Sequence, residues 1–188
     1  MPNYYTSPLV VDIADGAQIL NTTSETIICP DFTFAASDNR IYPGAAFSIR
    51  AWFDVSNVVT TPGTLTMRLR WGGVAGTILC ATSAIALSTT ARSNYSGSLD
   101  IDLIVRTIGA AGSMFAMGRC FLNDVPVGAD SAPQSIYTLG SAGANVPAVV
   151  SSLDTTTAKA LSLTAQFSVP TATTQLTCHE RILSSYGT

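Results

Sequence analysis

His179 is the only histidine in the chain, so a Ser or Cys nucleophile in need of a neighbouring base would have to find it. Cys178 and Glu180 flank it. Adjacent side chains of an extended strand point to opposite faces, however, and neither flanking residue meets the imidazole within that strand. There is no Gly-x-Ser-x-Gly elbow. His179 reads as structural or interfacial, and no catalytic residue is assigned.

Metal and cofactor chemistry is equally short of ligands. Cys29, Cys80, Cys120 and Cys178 stand far apart with no Cys-x-x-Cys, and with one histidine they match no familiar zinc spacing. Asp100 and Asp102 share a strand face and Asp12 and Asp15 flank a turn, whereas calcium takes about six to eight oxygens. Asp100 and Asp102 read instead as partners of Arg50, Arg68, Arg70 or Arg106 on neighbouring strands, or of a neighbouring subunit. The Gly-Gly-Val-Ala-Gly run from Gly72 would have to open a helix to cradle phosphate, and a strand follows it. No metal or cofactor is expected. The cysteines read as buried free thiols; a bridge from Cys29 to Cys178 is geometrically possible, but an intracellular origin argues against it.

The elements that carry these residues are strands. Leu65, Met67, Leu69 and Trp71 alternate with Thr66, Arg68 and Arg70, and the Gly72–Gly76 turn reverses the chain into an antiparallel partner. Phe47, Ile49, Ala51, Phe53 and Val55 oppose Ser48, Arg50, Trp52 and Asp54. Trp71 therefore belongs to the core and Trp52 to a surface or interface. Leu87–Gly97 reads as an exposed loop with Tyr95 at its tip. Leu99–Arg106 is a long strand whose return partner, Met114–Leu122, is apolar on both faces, as suits a strand between two layers or against a neighbouring subunit. Asn123–Asn145 is irregular, with one short strand near Ser135–Leu139, and Val146–Leu153 is another. Leu161–Val169 alternates cleanly, and the last strand, Gln175–Ser184, sets Leu176, Cys178, Glu180 and Ile182 against Thr177, His179, Arg181 and Leu183. Roughly eight to ten strands with no amphipathic helix predict an all-β, two-sheet antiparallel sandwich, jelly-roll-like, over residues 22–188. Residues 1–21, with Pro2 and Pro8 beside an apolar run, form an extended N-terminal arm or an edge strand.

At 188 residues the chain suits one core. Charged residues are 11% of it, against about 25% in ordinary soluble domains, and the basic set is eight arginines and Lys159 alone. Arginine without lysine on a sheet protein points to edges and faces covered in an oligomer, or to a compositional bias of the source. A net charge of −3 and a pI near 4.8 argue against nucleic acid as a partner. No run reaches the roughly 18 apolar residues of a membrane span, and the N-terminus lacks signal-peptide features, so synthesis in the cytoplasm is expected.

Asn21–Thr26, Ile49–Val55, the Pro62–Gly73 run with its Leu-Arg-Trp-Gly-Gly turn, Gly76–Thr77, Ile104–Gly109 and Ala116–Gly118 together resemble, in order and spacing, a group of tailed-phage virion structural proteins of the capsid decoration (cement) and head-fibre type. The resemblance covers most of residues 20–125. It implies a non-enzymatic homotrimer on the capsid exterior that binds and stabilises the major capsid protein shell. An arm carrying Tyr4, Tyr5, Leu9, Val10 and Val11 would grip the shell. Strand faces with Arg50, Trp52, Arg68, Arg70, Asp100, Asp102 and Arg106 would pack between subunits. The alternative it leaves open is a receptor-binding head or tail fibre tip that recognises a host-surface polysaccharide.

Overall fold

Period-two alternation of apolar and polar residues builds nearly every element of this protein. The computed structural model describes residues 6–58, 60–123, 135–141 and 146–186. The described residues form fourteen strands: β1 Thr6–Val11, β2 Ile19–Leu20, β3 Thr26–Ile27, β4 Phe32–Phe34, β5 Ala46–Asn57, β6 Thr64–Trp71, β7 Thr77–Thr82, β8 Ile85–Ala86, β9 Arg92–Thr107, β10 Gly112–Leu122, β11 Ser135–Gly140, β12 Val149–Leu153, β13 Lys159–Phe167 and β14 Gln175–Tyr186. All pairings are antiparallel. The fold is all-β and sandwich-like, as the alternation predicts.

One layer runs β1-β14-β5-β9-β10 and the other β7-β6-β13-β3; β11 pairs with both β10 and β7 and carries the hydrogen bonding round from one layer to the other. The pairing is nested, with β5 on β14 and β6 on β13. The inward faces meet in a single core. Phe34 of β4 packs edge-on against Phe47 of β5 at 5.3 Å between centroids and lies 5.6 Å from Trp71 of β6. Cys120 of β10 reaches Met67 of β6 at 3.8 Å. Leu65, Met67, Leu69 and Trp71 are all buried, each contributing about 1.5–3 kcal/mol of transfer free energy.

Three expectations change. First, Leu87–Gly97 is not a loop throughout: β9 begins at Arg92, pairs Tyr95 with Val55 of β5, and buries Tyr95. Gly97 looks like a turn residue but marks a close approach, because a Cβ there would lie 2.3 Å from a ring carbon of Phe53. Second, alternation breaks in β14. A bulge between Cys178 and Glu180 shifts the register against β5, so Arg181 and Leu183, not Glu180 and Ile182, share the buried face with Leu176 and Cys178. Third, the strand within Val146–Leu153 is confined to β12, Val149–Leu153, which pairs with β10. The short strand foreseen near Ser135–Leu139 is β11.

Candidate functional site

The residues singled out from the sequence divide between the two layers. On the outward face of β5, β9, β10 and β11, register places side chains in cross-strand rows. Trp52, Ser98, Phe121 and Ile136 form one row; Arg50, Asp100, Arg119 and Thr138 form the next. Ser48, Asp102 and Met117 follow, then Ala46, Ile104, Phe115 and Val149. An apolar row thus stands on each side of a charged centre. Trp52, Ile104, Met117, Ile136 and Val149 are all exposed, Met117 at 47% and Ile136 at 59%. The inner halves of the same strands fill the core, so burial on one side forces these residues outward.

The charged row is lightly held. Arg50 and Asp100 approach to 3.5 Å with both side chains largely in water, a geometry in which an ion pair contributes about 0–1 kcal/mol. Arg106 lies over the Phe115 ring at 5.5 Å and Arg119 over Phe121 at 5.7 Å. Tyr186 donates to Asp102 at 3.4 Å. Two shallow clefts cut this face. One of about 140 Å³ lies among Arg50, Asp100, Asp102, Arg119 and Tyr186. The other, about 150 Å³, is bounded by Trp52, Ser96, Gly97, Ser98, Phe121 and Asn123.

Arg50, Trp52, Asp100, Asp102 and Arg106 therefore come together. Arg68 and Arg70 do not join them: they project from β6 in the other layer, out of reach of Asp100 and Asp102. β3 pairs with the side of β13 away from β6, and the side chain of Glu25, just before it, bridges both, with Oε2 3.1 Å from Arg68 Nη1 and Oε1 2.5 Å from Arg70 Nε. Arg68 also donates to Gln166 at 3.0 Å, and Arg70 to the Gly76 carbonyl at 2.6 Å. Burial pushes the Glu25 carboxyl up, but hydrogen bonds from Arg70 and Thr164 and the charges of Arg68 and Arg70 outweigh it and hold its pKa below the ordinary value.

Of the arm residues, Tyr4 and Tyr5 lie outside the described residues. Leu9 and Val10 are partly buried against the core, while Val11 is exposed. Their strand, β1, pairs with β14 of the same chain as an edge strand, with a register shift between Pro8 and Val10.

His179 sits on the β14 bulge with Nδ1 2.9 Å from Asp15 and Nε2 3.5 Å from Asp54. The Asp15 hydrogen bond raises its pKa, burial opposes this, and Asp54 adds to the rise. Cys178 is buried on the inward face, away from the imidazole, so the pair has no nucleophile–base geometry. Among the described residues no three His, Cys, Asp or Glu side chains converge as metal ligands would.

Sequence reasoning missed Glu25, Arg119 and most of the apolar rows. The doubly apolar pattern of Met114–Leu122 carried the signal for Phe115, Met117 and Phe121. Nothing local marked Glu25, whose role appears only when β3 pairs with β13 and brings its side chain to β6.

No protein-family model matches this chain, and no curated protein matches it. Among solved structures it is similar to the CBM2 module of the evolved Dit of Lactobacillus casei BL23 phage J-1, at 9% identity and a TM-score of 0.38, covering 84% of this chain and 69% of that one. So slight a likeness carries no argument about what either chain does.

Proposed function

We propose that this chain is a non-enzymatic structural protein of a tailed-phage virion: a capsid decoration (cement) protein that assembles as a homotrimer on the capsid exterior and stabilises the major capsid protein shell. The observation that carries the reading is the outward face of β5, β9, β10 and β11. Its exposed Trp, Met, Ile and Val beside half-buried Phe, with interleaved Arg, is the composition of protein–protein contact surfaces, and burying it in a trimer removes exposed apolar side chains from water. The charged row between apolar rows would set register more than affinity. The sequence resemblance of residues 20–125 supplies the virion context. Shell contact is assigned to the N-terminal segment with Tyr4 and Tyr5 and to the β1 edge with Val11; Leu9 and Val10 anchor that edge.

Light scattering of the purified protein tests the assembly, with a trimer expected at micromolar concentration and a monomer counting against it. A cryo-EM map of the virion tests the role. Density for this chain at capsid symmetry axes is expected, and density at a tail tip would overturn the cement assignment.

One observation favours the receptor-binding reading: the cleft between Trp52 and Phe121 joins two aromatic rings with the hydroxyls of Ser96 and Ser98 and the amide of Asn123. A glycan array decides it. Binding that Trp52→Ala removes would move the proposal to polysaccharide recognition.

A further inference from the structure

Two tight turns carry the chain from β4 in one layer to β5 in the other, across one end of the sandwich. Ile41 donates its amide to the Asp38 carbonyl at 2.9 Å, and Ala45 donates to that of Tyr42 at 2.9 Å. The second turn has Pro43 and Gly44 at its centre, with Gly44 at a φ of +93°, as a type II turn requires. The Gly44 amide donates to Val105 of β9 at 2.8 Å, which ties this connection to the sheet. Facing it, Ser185 and Tyr186 close the end of β14, in register with Phe47 and Ala46. Between the two walls lies a cleft of about 290 Å³, close to the lower end of the roughly 300–1,000 Å³ of small-molecule sites.

The cleft combines aromatic rings with neutral polar groups. Tyr42 and Tyr186 line it, 38% and 36% exposed, and Asn39, Arg40 and Ser185 add hydrogen-bonding groups. Arg40 is held in place before any ligand arrives. Its Nε donates to Asp38 Oδ1 at 2.8 Å, its Nη2 to Oδ2, and its guanidinium lies 5.2 Å from the Phe32 ring centre and 5.6 Å from that of Phe34. The Arg40 hydrogen bond lowers the Asp38 carboxyl to about 2 against the effect of burial, so the pair stays ionised and internally neutral.

We propose that this cleft binds one neutral pyranose residue of a saccharide, with the Tyr42 and Tyr186 rings against the C–H face of the sugar and Asn39, Ser185 and the remaining N–H groups of Arg40 on its hydroxyls. An anion gains little here, because Asp38 already matches the charge of Arg40 and Asp102 accepts from the Tyr186 hydroxyl at 3.4 Å. A purely apolar ligand would cover the amide, hydroxyl and phenol groups without giving them partners. The site is distinct from the cleft beside Trp52, and it adds to the virion reading without depending on it.

The test is saturation-transfer NMR and titration of the full chain with the methyl glycosides of glucose, galactose and N-acetylglucosamine, and with glucuronic acid as the charged comparison. At least one neutral glycoside should bind with a Kd of about 1–10 mM, and Tyr42→Ala should weaken it roughly tenfold. Asn39→Ala should weaken it less, and Trp52→Ala should leave it unchanged. Tyr42 and Asn39 are exposed and belong to no strand, so neither variant touches the proposed subunit contact. Three results would overturn the proposal: no neutral glycoside bound at about 50 mM, binding confined to glucuronic acid, or binding that Trp52→Ala removes while Tyr42→Ala spares it. The wild-type panel decides the first two even where a variant fails to fold.

Discussion

Arg181 and Asp12 form an ion pair at the inner face of β14, Nε to Oδ2 2.9 Å and Nη2 to Oδ1 3.2 Å, with the guanidinium only 4% exposed. The β14 bulge turns Arg181 inward, where it lines the core beside Ile49, Leu69 and Leu183. Asp12 lies just past β1, and its amide also donates to the Arg181 carbonyl at 2.9 Å. The N-terminal segment is thus part of the fold, and Ile19 of β2 is buried as well. Deleting residues 1–21 would strip a core residue and leave Arg181 uncompensated, so a truncation cannot separate shell binding from folding. Substitution of Val11, exposed on the same edge, can.

Asp12→Ala should lower stability by about 3 kcal/mol, because removing one partner of a buried pair strands the other. Replacing both, with Asp12→Ala and Arg181→Leu, should restore most of the loss, since an apolar pair needs no compensation. Urea unfolding of the two variants checks this. A double variant no more stable than the single one would place the cost elsewhere.

Glu25 makes the corresponding prediction on the opposite layer. Glu25→Gln keeps the shape but leaves Arg68 and Arg70 facing a neutral amide, at a cost of about 2 kcal/mol. Its folded pKa lies below its unfolded value, so its contribution is complete above the unfolded value and fades as pH falls through the folded one. Wild type should therefore lose its advantage over the variant on acidification, as thermal melts across the acid range would show.

His179 gives the opposite sign. Contacts with Asp15 and Asp54 raise its folded pKa, so the stabilisation is complete below the unfolded value near 6.5 and is lost as pH rises through the folded one. The melting temperature of wild type should fall relative to His179→Gln as pH rises from below the unfolded value through the higher folded one. Parallel curves for the two proteins would mean that folding leaves the imidazole's proton affinity unchanged.

The sandwich was legible because burial of one strand face writes itself as alternation: Leu65 to Trp71 and Phe47 to Val55 needed no tertiary information. The same rule failed at Glu180 and Arg181, where a bulge inserts an extra residue that alternation cannot reveal. It failed at Tyr95 and Gly97 too, because a glycine under Phe53 and a glycine in a turn look alike in one dimension. Arg50, Trp52, Asp100, Asp102 and Arg106 were readable as one outward set once their strands were known. Arg68 and Arg70 were not separable from them, since strand order and not strand pattern decides which layer a residue faces.

Backbone spacing between β9 and β10 makes a further prediction. A Cβ on Gly118 would lie 2.4 Å from the Asp100 carbonyl oxygen and 3.0 Å from Ile101 Cα, backbone atoms that cannot move without breaking the ladder. Gly118→Ala should cost roughly 1–3 kcal/mol by overpacking. Gly109 is the control: its φ of +116° disfavours a side chain, but nothing lies within 4 Å of where one would go. Melting temperatures should fall for both variants, Gly109→Ala through backbone strain alone. An unchanged value for Gly118→Ala would show that β9 can slide away from β10.

The outward face of β5, β9, β10 and β11 carries the functional prediction. Met117 is exposed in the protomer, so Met117→Lys should change its folding stability by no more than about 0.5 kcal/mol. On the proposed subunit interface the same change buries an ammonium group without a partner, and the trimer should dissociate at micromolar concentration. Trp52→Ala should weaken association by about 2 kcal/mol, roughly 30-fold, if Trp52 is an anchor of the contact. Arg50→Ala should do less, because its pairing with Asp100 is already open to water. Sedimentation of the three variants ranks them. A trimer that survives both Met117→Lys and Trp52→Ala would put the subunit contact on another surface and leave this face free for the shell or for a glycan.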